Sequence, residues 1–477
     1  MATDTQLLRP PAPEPRPKSL GLVALLRALK KNPIECWARE HFEEAVVSAT
    51  RSFGHVIVIN NPDAIRHVLL DNAGNYRKHT FQQRVCSAGL ADGLLSAEAE
   101  RWRIQRRTVA PLFSRKAVSS FTPAFVGAAN ALVARWRGLG EAATIDVAAE
   151  MGRVTLEVLE ATIFSDGFGC QAEKLRGAMA TYFDTIGQIE PLDLFGVPDF
   201  IPRLSRVRVR STLRFFDAAI DELIASRRRR LAEDPRSAPP DILTRLLSAL
   251  DPETGQTMTE AEVRSNILTF IAAGYDTTAN CLSWSIFLLT ESPEWHERVL
   301  AETHAESEAL TSGCADRLVI TRAVIEEALR LYPPIAATTR MAIGQDTLGD
   351  AVVKPGTMVV IAPYVLHRHR LLWDAPDCFD PTRFLGEART KISRFAYLPF
   401  GAGMRTCIGA TFALQEATLV LATIMRNFVL QLAPGHLVWP VLRVTLRPAG
   451  GLPMVVSRRP DERRPTAILS FTQPIGA

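Results

Sequence analysis

The segment TEAEVRSNILTFIAAGYDTTANCLSWSIFLLTES, residues 259–292, constrains the fold of this chain more than any other. It reads as one helical run, and at about 1.5 Å per residue such a helix crosses a whole domain. A transmembrane helix is the alternative. Asn266, Asp276, Thr277 and Thr278 near its middle argue against that, because polar groups are expensive inside a bilayer. We therefore predict a long helix that runs through a folded domain.

The remaining segments indicate a helical protein with a smaller sheet component. Helical periodicity dominates residues 98–230 and 293–332, with a proline-rich break at 189–202. Strand and turn signals occur at 349–368 and again from about Phe428 onward. No internal repeat is found. The pattern predicts a mostly α fold with a minor β component.

We expect a single domain over residues 31–460, between a proline-rich arm at 1–30 and a tail at 461–477. Hydrophobic residues make up 47% of the chain, which is ample for a large core. The apolar run 20–29 is interrupted by Arg27 and is too short to span a bilayer. A packed amphipathic helix is favoured over a peripheral membrane contact, so we expect a soluble protein.

Charge and cysteine usage exclude several classes of protein. The chain has 55 basic and 51 acidic residues, a net charge of +4, which is too mild for a dedicated nucleic-acid binder. Its seven cysteines are scattered and form no CxxC pair. That usage disfavours a disulfide framework and a cysteine-pair zinc site, and it predicts a reducing, cytoplasmic location.

One cysteine lies in an unusually restricted setting, the loop FGAGMRTCIG at residues 400–409. Glycines surround Cys407, and a helix is predicted to begin just after it. A helix N-terminus and nearby Arg405 would both favour the thiolate. No local base accompanies the cysteine, so a nucleophile is disfavoured. A metal-ligating thiolate and a buried structural cysteine both stay open.

The long helix contains a second unusual stretch, AGYDTT at residues 273–278. Glycine and consecutive threonines are poor residues for a helix interior, and a threonine hydroxyl can bond a carbonyl one turn back. The stretch is interpreted either as a kink used in packing or as a local opening. In the second case Asp276 and Thr277 would present an acid and an alcohol as a proton relay.

A third pattern, EEALRLYPP at residues 326–334, places Glu327 and Arg330 three apart on one helical face. As a solvated pair it would contribute about 0.5 kcal/mol. The neighbouring leucines allow a buried network instead, with Arg383 of FDPTRF as its third member.

Taken in this order, the three patterns resemble the cytochrome P450 family of haem-thiolate proteins. FGAGMRTCIG is similar to the family's haem-binding signature, and AGYDTT to the oxygen-activation segment of its central helix. Glu327 and Arg330 match its Glu-x-x-Arg, and FDPTRF matches the segment that supplies a third arginine. Trp102 and Arg106 match a Trp-x-x-x-Arg on a helix that touches the haem. The resemblance covers residues from about 30 to about 460.

The resemblance implies a single-domain P450 fold, with haem b between the long central helix and the cysteine loop. Cys407 would be the proximal ligand of the iron, and Phe400 would shield the thiolate. Asp276 and Thr277 would deliver protons to dioxygen. Glu327, Arg330 and Arg383 would be scaffold. The haem propionates would be bound by Trp102, Arg106, Arg340 and Arg405.

The function implied is a monooxygenase that inserts one oxygen atom of O2 into a lipophilic small molecule. Electrons would come from NAD(P)H through a ferredoxin reductase and a ferredoxin. A peroxide-using or isomerising haem-thiolate enzyme and a non-catalytic haem sensor are the alternatives. We expect a monomer. Its substrate would contact residues 81–97, 267–274, 335–339 and 451–452, under a lid at 192–201, and the ferredoxin would dock on Arg103, Arg107, Arg115 and Lys116.

Overall fold

The computed structural model describes residues 7–51, 54–78, 93–165, 174, 177, 178, 204–306 and 313–459. The expected lid at 192–201, part of the 81–97 loop and the tail at 461–477 lie outside these residues. Within them, helices predominate and strands are short and few, so the expected mostly α fold with a minor β component is confirmed.

The described helices, numbered along the chain, are α1 Leu22–Lys31, α2 Arg39–Glu43, α3 Pro62–Arg66, α4 Ala99–Val109, α5 Arg115–Ser119, α6 Thr122–Arg137, α7 Val147–Ile163, α8 Leu204–Glu233, α9 Ile242–Ser248, α10 Glu260–Thr290, α11 Pro293–Ala305, α12 Cys314–Arg317, α13 Val319–Leu331, α14 Pro363–Leu366, α15 Gly386–Lys391 and α16 Ala410–Asn427.

Helix α10 is the predicted long helix, and it runs from Glu260 to Thr290 without interruption. It begins at a capping box, in which the Thr259 side chain accepts from the Glu262 amide and the Glu262 side chain accepts from the Thr259 amide. It packs against α7, α13 and α16. In its second half the Trp284 ring stacks on Tyr332, with ring centroids 3.8 Å apart. The helix is therefore the centre of the hydrophobic core.

Two sheets pair strands that lie far apart in the sequence. One has the strand order β1 (Val46–Arg51), β2 (Gly54–Ile59), β8 (Met358–Ile361), β5 (Thr338–Ala342) and β3 (Tyr76–Lys78). Its β2 and β8 are parallel, and its other pairs are antiparallel. The other sheet is antiparallel, in the order β4 (Ala143–Asp146), β12 (Pro453–Arg458) and β9 (Phe428–Leu432). The remaining described strands form two antiparallel pairs. These are β6 (Asp346–Leu348) with β7 (Ala351–Val353), and β10 (Pro440–Leu442) with β11 (Leu446–Pro448).

The proline-rich arm lies against the domain over its described part. The Leu8 carbonyl accepts from the Phe379 amide at 2.8 Å, and the Pro11 carbonyl accepts from the Tyr332 hydroxyl at 2.8 Å. Arg16 forms a short parallel bridge with Ala38. Because proline cannot donate a backbone hydrogen bond, the proline-rich part is held through carbonyl groups, whereas the Arg16 amide also donates, to the Trp37 carbonyl at 3.0 Å.

The sequence predicted that neither the apolar run 20–29 nor the long helix spans a membrane. Across the described ranges, no helix combines the length and the apolar character needed to cross a bilayer. Helix α10 is long enough but carries the polar groups noted in its sequence.

Candidate functional site

The cysteine loop contains a 3-10 turn at Gly403–Arg405 and leads directly into helix α16. Gly401 and Gly403 have φ of 69° and 70°, in the left-handed region that favours glycine. A Cβ on Gly403 would also collide with the Leu69 carbonyl oxygen. The Cys407 amide donates to the Phe400 carbonyl at 2.8 Å, so the loop folds back on itself. Glycine is required here by both dihedral angle and close backbone approach.

The Cys407 thiol is exposed to open space although it lies deep within the fold. Burial raises its pKa, while a backbone hydrogen bond from Gly409 and the charge of Arg106 act in the opposite direction. The helix N-terminus therefore favours the thiolate as expected, through Gly409, but the cation that acts on the thiol is Arg106 rather than Arg405, and burial outweighs both. A coordinated metal cation would reverse the balance, since a coordinating thiol is deprotonated.

Basic side chains gather near the cysteine loop. Arg405 contacts the Trp102 ring at 4.1 Å and donates to the Ala97 carbonyl at 2.8 Å. Burial lowers the pKa of Arg106 and of Arg405, and the positive charge of Arg106 lowers that of Arg405 further. Burial, followed by the charge of Arg405, lowers the pKa of Arg340 to about 10. The structure thus brings Trp102, Arg106, Arg340, Arg405 and Cys407 together.

This basic cluster has a fourth cation, Lys78, which the sequence did not indicate. It lies opposite Arg340 in the register of β3 and β5, and like charges on directly opposite strand positions repel. Glu98 is the carboxylate that pairs with the cluster among the described residues, at 3.2 Å from Arg405 and 3.9 Å from Lys78. Four cations face one anion, so the cluster can hold further negative charge.

These residues have the charge and the chemistry needed to bind haem. Its two propionates would complement the excess of positive charge, and guanidinium groups are suited to binding carboxylates. The thiol of Cys407 is accessible beside the cluster, and Phe400 is half-buried against the main core. The donor set therefore fits an anionic porphyrin with a thiolate ligand.

Asp276 and Thr277 belong to a polar network on α10. The Thr277 hydroxyl donates to the Ala273 carbonyl at 2.6 Å, one turn back in the helix. The Asp276 carboxylate accepts a hydrogen bond from the hydroxyl of Thr445, a buried residue between β10 and β11. Asn280 donates to Thr445 at 2.9 Å and to the Asp276 carbonyl at 2.8 Å. Sequence analysis missed Thr445 and Asn280, because no local pattern links them to Asp276.

The Glu-x-x-Arg pair is fully buried. Arg330 donates to both carboxylate oxygens of Glu327, at 2.6 and 2.7 Å, and both side chains are 0% exposed. Arg383 lies 3.6 Å from Glu327 as the third member. Arg330 also donates to the carbonyls of His367, Pro376 and Cys378. The structure supports the buried network and excludes the solvated pair.

Two further sequence expectations need correction. Ile267 and Leu452 are 0% exposed in the hydrophobic core, so neither lines a substrate site, whereas Ile335 is exposed. Arg107 does not offer a free docking charge. It makes two hydrogen bonds to Asp251, at 2.9 and 3.0 Å, because Asp251 is buried between α9 and α10 and needs a partner.

Comparison with known proteins shows the family of this chain. The sequence profile of the cytochrome P450 family matches residues 10–452. The chain belongs to the cytochrome P450 family. Among its curated relatives, cyclooctatin synthase of Streptomyces melanosporofaciens is 32% identical over 414 residues, covering 84% of this chain and 85% of that protein. Cyclooctat-9-en-7-ol 5-monooxygenase of the same organism is 31% identical over 422 residues, covering 88% and 90%.

Solved P450 structures agree in fold. The haem domain of cytochrome P450DA superimposes with a TM-score of 0.81 at 24% identity, covering 95% of this chain and 99% of that one. A cytochrome P450, CYP102L1, superimposes with a TM-score of 0.77 at 26% identity, covering 88% and 96%. The chain therefore has the P450 haem-domain fold. It is an oxidoreductase of this family, a monooxygenase with haem iron as its cofactor.

Proposed function

We propose that this cytochrome P450 binds haem through Cys407 and the basic cluster, and hydroxylates a lipophilic small molecule. When bound, haem supplies the activation of O2 for insertion of one oxygen atom. The observation that carries the proposal is the set of four cations around a single carboxylate beside an accessible thiol. Arg106, Arg340, Arg405 and Lys78 would bind the propionates, and Trp102 would support Arg405 through its ring face.

Asp276 and Thr277 are proposed to hold protons near the haem. The Thr277 hydroxyl donates its hydrogen to a backbone carbonyl. Its oxygen can still accept a hydrogen bond from a donor on the substrate side. The Asp276 carboxylate is oriented by Thr445, which Asn280 orients in turn. We assign Asp276 and Thr277 to proton delivery, and Thr445 and Asn280 to positioning them.

The substrate is proposed to be largely hydrocarbon. Ile335 and Ala273 are exposed apolar side chains in two of the segments expected to contact it. One relative is named for cyclooctat-9-en-7-ol, a name that denotes a mainly hydrocarbon skeleton with one hydroxyl group. A site lined by such side chains favours apolar compounds through burial of their surface.

We propose that electrons pass from NAD(P)H through a ferredoxin reductase and an acidic ferredoxin. Lys116 on α5 is the expected docking residue that has no ion pair among the described side chains. Arg115 and Arg103 lie in exposed pairs with Asp316 and Glu100, at 2.8 and 3.0 Å, and such pairs exchange easily with an incoming anion. No disulfide joins Cys36, Cys281, Cys378 and Cys407 among the described residues, which agrees with a reducing, cytoplasmic location. We propose that the protein is a monomer.

A spectroscopic experiment tests the cofactor assignment. We expect the ferrous protein with carbon monoxide to show the red-shifted Soret band of thiolate ligation, and Cys407→Ala to abolish it. Cys36→Ala, at a half-buried free cysteine elsewhere, is the matched control and should keep the band. A normal band in Cys407→Ala would refute the ligand assignment.

A titration tests the substrate class and the need for a partner. Lipophilic compounds should shift the spin state of the iron by displacing water, and polar compounds of similar size should not. Turnover should require a ferredoxin and its reductase. Undiminished turnover without any electron donor would contradict the monooxygenase cycle.

A further inference from the structure

A cavity lies beneath the proline-rich arm, and its lining contains no residue of the cysteine loop. Its volume is about 280 Å³, just below the usual range for pockets that bind drug-sized ligands, so it suits a smaller molecule. The arm forms one wall with residues 9–15, and Phe42, Tyr364, Arg368 and Trp439 form the others. The cavity therefore exists only because the arm packs on the domain.

The inner wall of this cavity carries a buried cation that lacks a counterion. Arg368 is 2% exposed, and in the described part of the chain its Nε has no hydrogen-bond partner and no carboxylate pairs with it. Its guanidinium contacts the Tyr364 ring at 4.3 Å, and its one hydrogen bond, to the Tyr364 carbonyl, is 3.5 Å long. The Tyr364 hydroxyl, on a side chain 1% exposed, likewise has no partner among these residues. Buried donors of this kind are normally satisfied.

The other charges around the cavity are already paired. Arg9 lies 3.2 Å from Glu14, and Asp377 lies 2.8 Å from Arg370. After these pairs, the guanidinium of Arg368 remains as a single excess positive charge. A dianion such as phosphate would overcompensate this charge and would face Glu14 and Asp377. A monoanion matches it.

We propose that the cavity under the arm binds a small monocarboxylate with an apolar body, at a site separate from the haem. Arg368 Nε and the Tyr364 hydroxyl would donate to the carboxylate at the inner wall. Phe42, the arm prolines and half-exposed Trp439 would cover the apolar body towards the outside. Such a ligand would tie the arm to the domain.

The experiment uses the haem-loaded full chain and 4-fluorobenzoate, followed by ¹⁹F NMR. We expect saturable binding with no change in the Soret band, and no comparable binding of the neutral analogue 4-fluorobenzamide. A Soret shift on binding would place the probe in the haem site and overturn the proposal. The proposal would also be overturned if the amide bound equally well, or if phosphate or chloride at equal concentration displaced 4-fluorobenzoate. It would be overturned too if none of 4-fluorobenzoate, acetate and hexanoate bound.

Variants test the assigned donors. Arg368→Gln should weaken 4-fluorobenzoate binding by about tenfold or more, the effect of losing a charge-assisted hydrogen bond. Arg298→Gln, in an exposed pair on α11, is the matched control and should leave binding unchanged. If Arg368→Gln does not fold, Tyr364→Phe keeps the ring and removes one donor, and should weaken binding several-fold. Unaltered affinity in Tyr364→Phe and in any folded Arg368→Gln would refute the site.

Discussion

At the scale of single residues, the site depends on side chains that are far apart in the chain. Thr445 orients Asp276 although the two residues are 169 positions apart in the sequence. Lys78 lies opposite Arg340 on a neighbouring strand. Neither has a local sequence pattern that marks it as functional. Gly403 has a strong pattern because its positive φ favours glycine, and Cys407 is marked because it lies in the same short glycine-rich loop.

Thr445→Val tests the positioning network. The variant removes the hydroxyl that donates to Asp276 and accepts from Asn280, with little change in volume. Because a positioned acid–base group contributes about 10²-fold or more to rate, we expect turnover to fall by about tenfold for loss of its orientation. The fraction of consumed electrons recovered as hydroxylated product should fall as well, with a larger solvent isotope effect.

Thr445→Ser keeps the hydroxyl and should restore both values. If Thr445→Val binds substrate and turns over like the parent protein, Thr445 does not position Asp276.

At the scale of elements, one buried network joins α13, the turn after α14 and the start of the cysteine loop. Arg330 on α13 bonds to Glu327 and to the His367 carbonyl. His367 in turn accepts the Leu398 amide at 2.8 Å through Nε2. The Glu-x-x-Arg motif therefore holds the segment that leads into the cysteine loop.

Glu327→Gln tests the central ion pair. Removing one partner of a buried pair leaves Arg330 uncompensated, so we expect the free energy of unfolding to fall by about 3–5 kcal/mol. Haem content should fall with it, because the network supports the cysteine loop. Urea unfolding and the haem-to-protein ratio measure the two effects.

Glu294→Gln is the matched control, because Glu294 pairs with Arg298 at 2.7 Å on the exposed face of α11. Its loss should lower stability by about 0.5 kcal/mol. Equal effects of the two substitutions would rule out a special role for the buried pair.

The pKa of His367 predicts acid sensitivity of the same network. Burial, and then the charges of Arg330 and Arg368, lower its pKa from 6.5 to about 3. Above pH 6.5 the histidine is neutral in both folded and unfolded chains. As pH falls from 6.5 towards 3, the unfolded chain binds a proton that the folded one does not, so stability is lost, on the order of 5 kcal/mol over the whole range.

His367→Gln removes this titration and keeps an acceptor for the Leu398 amide. In urea unfolding between pH 7 and 4, the parent protein should lose stability more steeply than the variant. Parallel pH profiles would contradict the assignment.

At the scale of the whole molecule, the ends of the chain close the domain. The β4–β12–β9 sheet joins the C-terminal strands to the start of α7, and the proline-rich arm covers α14 and the turn that follows it. The described part of this arm is bonded to Tyr332, directly after α13, and to Phe379.

Deletion of residues 1–14 tests the contribution of the arm. It removes the bonds from Leu8 to Phe379 and from Pro11 to Tyr332, and leaves the Tyr332 hydroxyl without its acceptor. We expect the free energy of unfolding to fall by about 2 kcal/mol, with an unchanged carbon monoxide spectrum.

Tyr332→Phe keeps the arm and removes only the donor, and it should lower stability by less than the deletion does. An unchanged stability after the deletion would show that the arm does not support the domain.

The sequence by itself determined the features that depend on near neighbours. Helix periodicity predicts helix α10 and the mostly α fold. Glycine dihedral angles and short motifs predict the Cys407 loop and the spacing of Glu327 and Arg330. All of these are local properties of the chain. The tertiary structure alone decided which distant groups meet. It placed Lys78 beside Arg340, Thr445 beside Asp276, and the buried Asp251 beside Arg107, which removed that arginine from the expected docking face. The physical reason is that charge pairing and burial depend on strand register and helix packing, and these are set by the whole chain at once.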